Sequence, residues 1–228
     1  MREIVLDTET TGLDAHAGDR IVEIACVELL NHLPTGRHFH SYLNPEREIS
    51  TGAYDVHGLS GDFLAGQPRF ADIVDGFLAF LGEAPLVIHN AEFDLKFLNA
   101  ELSRAGKPPL TNDRGIDTIA LAKKRFPGAR YSLDELCRRF NIDLSVRAKH
   151  GARIDAELLA EVYLELLGGR QVRLALAPGD ASAPRIEQVA RVPRPRPAPL
   201  AERLTALERE IHARFIAALE GDVIWSWG

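Results

Sequence analysis

The sequence predicts an α/β domain followed by an extended C-terminal tail. Three observations carry this expectation. Strand-like runs separated by turn residues open the chain, a short apolar strand then passes directly into a helical pattern, and beyond Gly169 the composition turns to proline and arginine.

Ile4-Val5-Leu6 is apolar at consecutive positions, as in a strand buried on both faces. Residues 20–30 (RIVEIACVELL) place apolar side chains at alternate positions and predict a second strand, and residues 37–43 predict a third. Residues 31–36, with Pro34 and Gly36, have turn chemistry, so the sheet should start as an antiparallel meander. A glycine-containing loop is expected around Val56-His57-Gly58. Residues 69–81 (RFADIVDGFLAFL) space their apolar side chains by three and four, which predicts an amphipathic helix ended by Gly82. Residues 85–89 then form a short strand, and residues 91–104 a helix that Gly106 and Pro108 stop. Ser132-Leu133-Asp134-Glu135 has the pattern of a capping box and opens a helix through Phe140. Residues 154–167 form another, closed by Gly168-Gly169, so residues 1–169 are expected to be one domain.

Residues 170–199 read as a linker, small and polar at 178–184 and alternating proline with arginine at 191–199 (RVPRPRPAP). Residues 200–228 carry a helical stripe of Leu204, Leu207, Ile211, Phe215 and Leu219 that ends in Trp225-Ser226-Trp227. A short helix without a domain of its own needs a partner.

At 228 residues and 46% hydrophobic content the chain can fill a core. No apolar leader precedes the first strand and no uninterrupted apolar stretch could cross a bilayer, so neither export nor membrane insertion is expected. Cys26 and Cys137, far apart inside an expected strand and helix, suit reduced core thiols better than a disulfide or a zinc site. A cytoplasmic protein is therefore expected. The net charge of −6 runs against a plain nucleic-acid binder, whose surface is usually basic. The acidity belongs to residues 1–169, which hold 18 Lys and Arg against 26 Asp and Glu. Carboxylates that bind divalent cations would reverse the local sign and admit an anionic substrate.

Asp7 and Glu9 flank Thr8 at the end of a predicted strand, where side chains two apart share a face and Cα atoms lie roughly 6.5 Å apart. Both can reach one cation. Because Ile4-Val5-Leu6 is apolar throughout, Asp7 should sit where an interior strand emerges into a crevice. Asp94, in His89-Asn90-Ala91-Glu92-Phe93-Asp94, falls in the first turn of the helix after a buried strand, where it can face the cleft or complement the helix dipole. His89 and Asn90 are expected to hydrogen-bond the turn, and Asp117 to start a helix. His150 and Asp155 are five apart, and on one continuous helix they would point about 140° away from each other. If Gly151 keeps His150 in a loop and the helix begins near Arg153, the pair can serve one site.

Four carboxylates and one histidine thus sit at strand ends or helix openings. The ordered blocks D-T-E-T-T-G-L, V-H-G-L, H-N-A-E-F-D and H-G-A-R-I-D resemble the DEDDh exonucleases, and among them the proofreading subunits of bacterial replicative polymerases. The likeness covers about residues 1–170. It implies a ribonuclease H-like fold of three α/β/α layers around a mixed central sheet, and two-metal phosphodiester hydrolysis with Mg²⁺ or Mn²⁺. By this resemblance Asp7 bridges both ions, Glu9 and Asp155 complete the site of the ion that activates water, Asp94 supports the second, and His150 takes the proton. An imidazole suits that role better than a carboxylate, which is a weaker base near pH 7. Thr10, Gly12, Leu13, His57 and Phe93, with Asp7, Glu9 and His150, are the implied contacts of a single-stranded or frayed DNA 3′ end. The run that begins at Gln171 and ends at Leu176 stands where such subunits carry a sliding-clamp peptide, although it lacks the terminal aromatic. The tail helix and tryptophans look like an anchor for the polymerase catalytic (alpha) subunit. Two rivals remain open at this stage: a stand-alone exoribonuclease of the same family and a catalytically silent scaffold between clamp and polymerase.

Overall fold

A computed structural model describes residues 1–145, 150–169 and 205–218. The linker at 170–199, the clamp-peptide run from Gln171 to Leu176, and Trp225 and Trp227 lie outside the described residues. The chain falls into two units, Met1–Leu174 and Ala175–Gly228.

The first unit is built on five strands, β1 (Arg2–Thr10), β2 (Ile21–Leu30), β3 (Leu33–Tyr42), β4 (Leu86–Ile88) and β5 (Gly115–Asp117), in the order β3-β2-β1-β4-β5. β1 to β3 form an antiparallel meander, whereas β4 and β5 add in parallel to β1. The helices are α1 (Thr51–His57), α2 (Gly61–Ala65), α3 (Phe70–Leu81), α4 (Ala91–Arg104), α5 (Thr118–Arg125), α6 (Leu133–Phe140) and α7 (Ala152–Leu166).

Alternation along the strands divides the interior in two. Ile4, Leu6, Ile24, Cys26, Leu86 and Ile88 face one core, which Phe70 and Phe77 of α3 and Phe97 of α4 complete. Val5, Ala25, Val27 and Val87 face a second, with Leu136 of α6 and Leu159 and Val162 of α7. Each of these large apolar side chains contributes about 1.5–3 kcal/mol on burial, so both helical layers are bound firmly to the sheet. The result is the expected three-layer fold with a mixed sheet, and both free cysteines are buried in it.

β1 runs past Ile4-Val5-Leu6 through Thr10 and includes Asp7 and Glu9 near its end, because β2 keeps pairing with it as far as Ile21. Two local expectations need correction. The turn between β2 and β3 is only Asn31-His32, both left-handed (φ 51° and 66°), so β3 starts at Leu33 and contains Pro34 and Gly36. β3 is an edge strand, where proline need not donate to a ladder. Val56 and His57 are not loop residues; they close α1, which Ser50 caps at its start and left-handed Gly58 ends. Seven residues make only two turns, too few to display a helical period.

In the second unit, α8 (Ala206–Ala217) opens on a capping box of Thr205 and Glu208, and Leu207, Ile211 and Phe215 are exposed on it. Among the described residues no helix is long and apolar enough to cross a membrane.

Candidate active site

β1 pairs with β4 at Ile4 and Val5, so Asp7 and Glu9 lie beyond that parallel pairing and beside β2, opposite Ala25 and Glu23. By the period of two they share the face of Val5, toward α7, whereas Thr8 and Thr10 project toward α4.

α7 delivers the next two groups. Gly151 is its extended N-cap residue and holds His150 outside the helix, while Asp155 lies in the first turn. Ligand atoms of Glu9, His150 and Asp155 consequently come within 4.8 Å of one another. His150 Nδ1 is 3.3 Å from Asp155 Oδ2, with the imidazole half-exposed and the carboxylate nearly sealed from solvent.

α4 delivers the last acid from the other layer. Asn90 takes a left-handed conformation (φ 69°) ahead of the helix, and Asp94 in the first turn is 3% exposed. Thr8 Oγ1 donates a 2.7 Å hydrogen bond to Asp94 Oδ1. Burial pushes the Asp94 carboxyl up to about 7, against the opposing pull of the Thr8 hydroxyl and nearby backbone amides. The two carboxylates and the imidazole gathered within 4.8 Å are a donor set suited to divalent cations, and Asp94 is held to the same strand as Glu9 through Thr8.

The remaining predicted site residues fall in three places. Thr10 ends β1, and Gly12 and Leu13 lie in the loop that follows it: Thr10 Oγ1 donates to the Gly12 carbonyl at 2.6 Å, and Leu13 is 86% exposed. His57 is buried at the end of α1, where its Nδ1 accepts the Leu59 amide at 3.0 Å. Phe93 is half-buried on α4 and packs against Phe97, with ring centroids 4.9 Å apart. His89 Nδ1 lies 2.9 Å from Thr118 Oγ1, and Asp117 accepts the amides of both Asn90 and Ile119. Asp117 thus caps α5, as expected, and also pins the turn that launches α4.

Two residues that hold the site escaped sequence reasoning. Thr8 was legible in principle, since alternation alone sends it to the face opposite Glu9. Asp19 gave no such signal. It accepts the Thr11 hydroxyl at 2.9 Å and the Asp14 amide at 3.1 Å, and pairs with Arg47 at 3.2 Å. A Cβ on Gly12 would lie 2.3 Å from its Oδ2. Gly12→Ala is therefore expected to displace the Asp19 carboxylate, loosen the loop after Glu9 and lower kcat/KM on DNA ends at least about tenfold, with kcat affected less than KM. Steady-state kinetics check this, and an unchanged KM would show that the loop does not hold substrate.

An exonuclease family model matches residues 4–163, which include all four acids and His150. The DNA polymerase III subunit epsilon of Rickettsia felis is 55% identical over 174 residues, covering 75% of this chain and 76% of that protein. The chain belongs to the exonuclease family, with the DNA polymerase III epsilon subunits. The Escherichia coli subunit epsilon is 48% identical over 183 residues, 77% of this chain and 75% of that protein. Among solved structures, the nuclease domain of 3′hExo, a DEDDh family member bound to rAMP, matches with TM-score 0.63 and 19% identity over 73% of this chain and 91% of that one. Exonuclease X in complex with 5′ overhanging duplex DNA matches with TM-score 0.57 and 24% identity over 72% and 90%. These two share the fold. An exonuclease of this type depends on divalent metal, in keeping with the clustered oxygen and nitrogen donors of Glu9, His150 and Asp155.

Proposed function

We propose that this chain is the proofreading subunit of a replicative DNA polymerase and hydrolyses nucleotides from DNA 3′ ends with the help of two Mg²⁺ or Mn²⁺ ions. The observation that carries the reading is the convergence of Glu9, His150 and Asp155 within 4.8 Å, with Asp94 tied to the same strand through Thr8. Asp7, Glu9 and Asp155 would hold the ions, with Asp94 in support. When bound, such ions lower the pKa of the attacking water and stabilise the departing 3′-oxygen. His150, outside the helix and oriented by Asp155, accepts the proton from that water. Thr10 at the end of β1 and Gly12 and Leu13 in the loop after it position the terminal nucleotide, half-exposed Phe93 offers surface to base and sugar, and His57 supports that side from the end of α1.

Residues 1–169 would act as the exonuclease domain, 170–199 as a linker and 200–228 as the anchor on the polymerase alpha subunit. The exposed Leu207, Ile211 and Phe215 of α8 support the anchor, because such a stripe stabilises nothing unless a partner covers it. The run from Gln171 to Leu176 is the candidate sliding-clamp peptide. Tethering also accounts for the acidic composition: an enzyme delivered to the primer end by its partner needs little DNA affinity of its own.

Nucleotide release from a mismatched DNA primer, run beside an RNA of the same sequence, tests the reading. Release from DNA is expected with Mg²⁺ or Mn²⁺, none with excess EDTA, and none from Asp7→Ala under any condition. A large preference for RNA would point instead to an exoribonuclease, and full activity of Asp7→Ala would remove the site altogether.

A further inference from the structure

Glu23 lies in β2 directly opposite Glu9 and is 3% exposed. Two carboxylates facing each other across a ladder repel, and the proposed chemistry uses only one of them. The second has other partners. Glu23 Oε2 accepts the amide of Ala152, the first residue of α7, at 3.1 Å, and Oε1 lies 2.7 Å from Nε2 of His40 in β3.

The first amides of a helix have no acceptor within it, and side chains just before the helix ordinarily supply one. Here the N-cap residue is Gly151, which has no side chain to offer, and no side-chain capping bond is made from that position. Glu23 supplies the acceptor from the sheet instead. Its carboxylate stands at the positive end of the α7 dipole, a place that favours an acidic side chain. The anchored amide stands two residues after His150 and three before Asp155. Whatever fixes Ala152 against β2 therefore fixes both of those side chains against β1.

We propose that Glu23, held in turn by His40, is a positioning residue for hydrolysis: it clamps the start of α7 so that His150 and Asp155 meet Glu9. The proposal rests on the assignment of His150 and Asp155 to the active site. Without the clamp the same groups remain present, but the helix start can drift and the metal-binding set opens.

The test is a Mg²⁺ titration with steady-state kinetics on single-stranded DNA 3′ ends, using the full chain. Glu23→Ala is expected to lower kcat about tenfold and raise the Mg²⁺ concentration for half-maximal rate about five- to tenfold, with KM for DNA changed less than about threefold, the scale seen for residues that orient ligands. Glu23→Gln keeps an acceptor for the Ala152 amide and should stay within about threefold of wild type in both quantities. The titration is run well below the metal-free melting temperature of each variant, where the chain is fully folded without Mg²⁺; half-saturation then reports the site itself, and a purely structural role would leave it in place. If Glu23→Ala does not fold, His40→Ala carries the test with a smaller shift in the same direction. Wild-type values of kcat and Mg²⁺ half-saturation in Glu23→Ala, or in His40→Ala where the first is not obtained, overturn the proposal, as does a Glu23→Gln variant as impaired as the alanine form. Asp155→Asn is run in parallel and should be inactive. If it keeps full activity the active-site assignment itself fails, a result separate from the behaviour of Glu23.

Discussion

Asp94→Asn is expected to lose nucleotide release at least about a hundredfold and, at the same time, to melt higher than wild type when both are stripped of metal at pH 8. The two effects have one cause. Asp94 is buried in the first turn of α4, and burial lifts its carboxyl from 3.8 to about 7. A group whose pKa is higher in the folded than in the unfolded chain favours folding below the unfolded value and loses that contribution as pH rises through the folded one. For Asp94 the loss begins near pH 4 and is complete somewhat above pH 7, and it amounts to a few kcal/mol at most. The asparagine side chain keeps an acceptor for Thr8 and has no charge to desolvate, so it does not suffer this loss. The melting temperatures of the two metal-free proteins should therefore coincide most closely near pH 4 and separate as pH rises to 7. Saturating Mg²⁺ should raise the wild type and close the gap. Calorimetric scans over that pH range decide the matter, and a separation that does not change with pH would mean that Asp94 is not a charge held at a cost.

His150→Ala should behave in the opposite way, losing turnover while keeping metal. The imidazole lies outside α7 and is half-exposed, so its removal leaves no buried hole. Asp7, Glu9, Asp94 and Asp155 all remain. Hydrolysis should fall about 10²- to 10⁴-fold, as is usual when a general base is removed, while the rise in melting temperature on adding Mg²⁺ persists. A variant that no longer responds to Mg²⁺ would assign His150 to ion binding, and one with wild-type turnover would take it out of the reaction.

Much of this architecture was legible in the sequence because long elements carry their own period. Residues 91–104 were marked as a helix by apolar spacing and by the stop at Gly106 and Pro108, and α4 has those limits. The gap of five between His150 and Asp155 was informative for a similar reason. One helix could not bring both to a common point, and Gly151 does keep the histidine out of α7. Some short elements leave less trace. α1, α2 and β5 run for three to seven residues and are specified by caps such as Ser50 and Ser60 and by neighbours brought from elsewhere in the chain. Glu23 was hidden more deeply. In a linear reading it is one acid inside an apolar strand, and its partner Ala152 is 129 positions away. Positioning groups of this kind depend on tertiary approach and leave no local pattern.

The donors of the site are dispersed across the entire domain: Asp7 and Glu9 on β1, Asp94 arriving with one helical layer and His150 and Asp155 with the other. No contiguous fragment of the chain holds a complete set. By the proposed assignment, a polypeptide emerging from the ribosome has its full donor set only once α7, the last described element of the first unit, has been made and has docked. Partial unfolding that lifts either layer would separate the proposed donors in the same way, tying hydrolysis to molecules whose two cores are both intact.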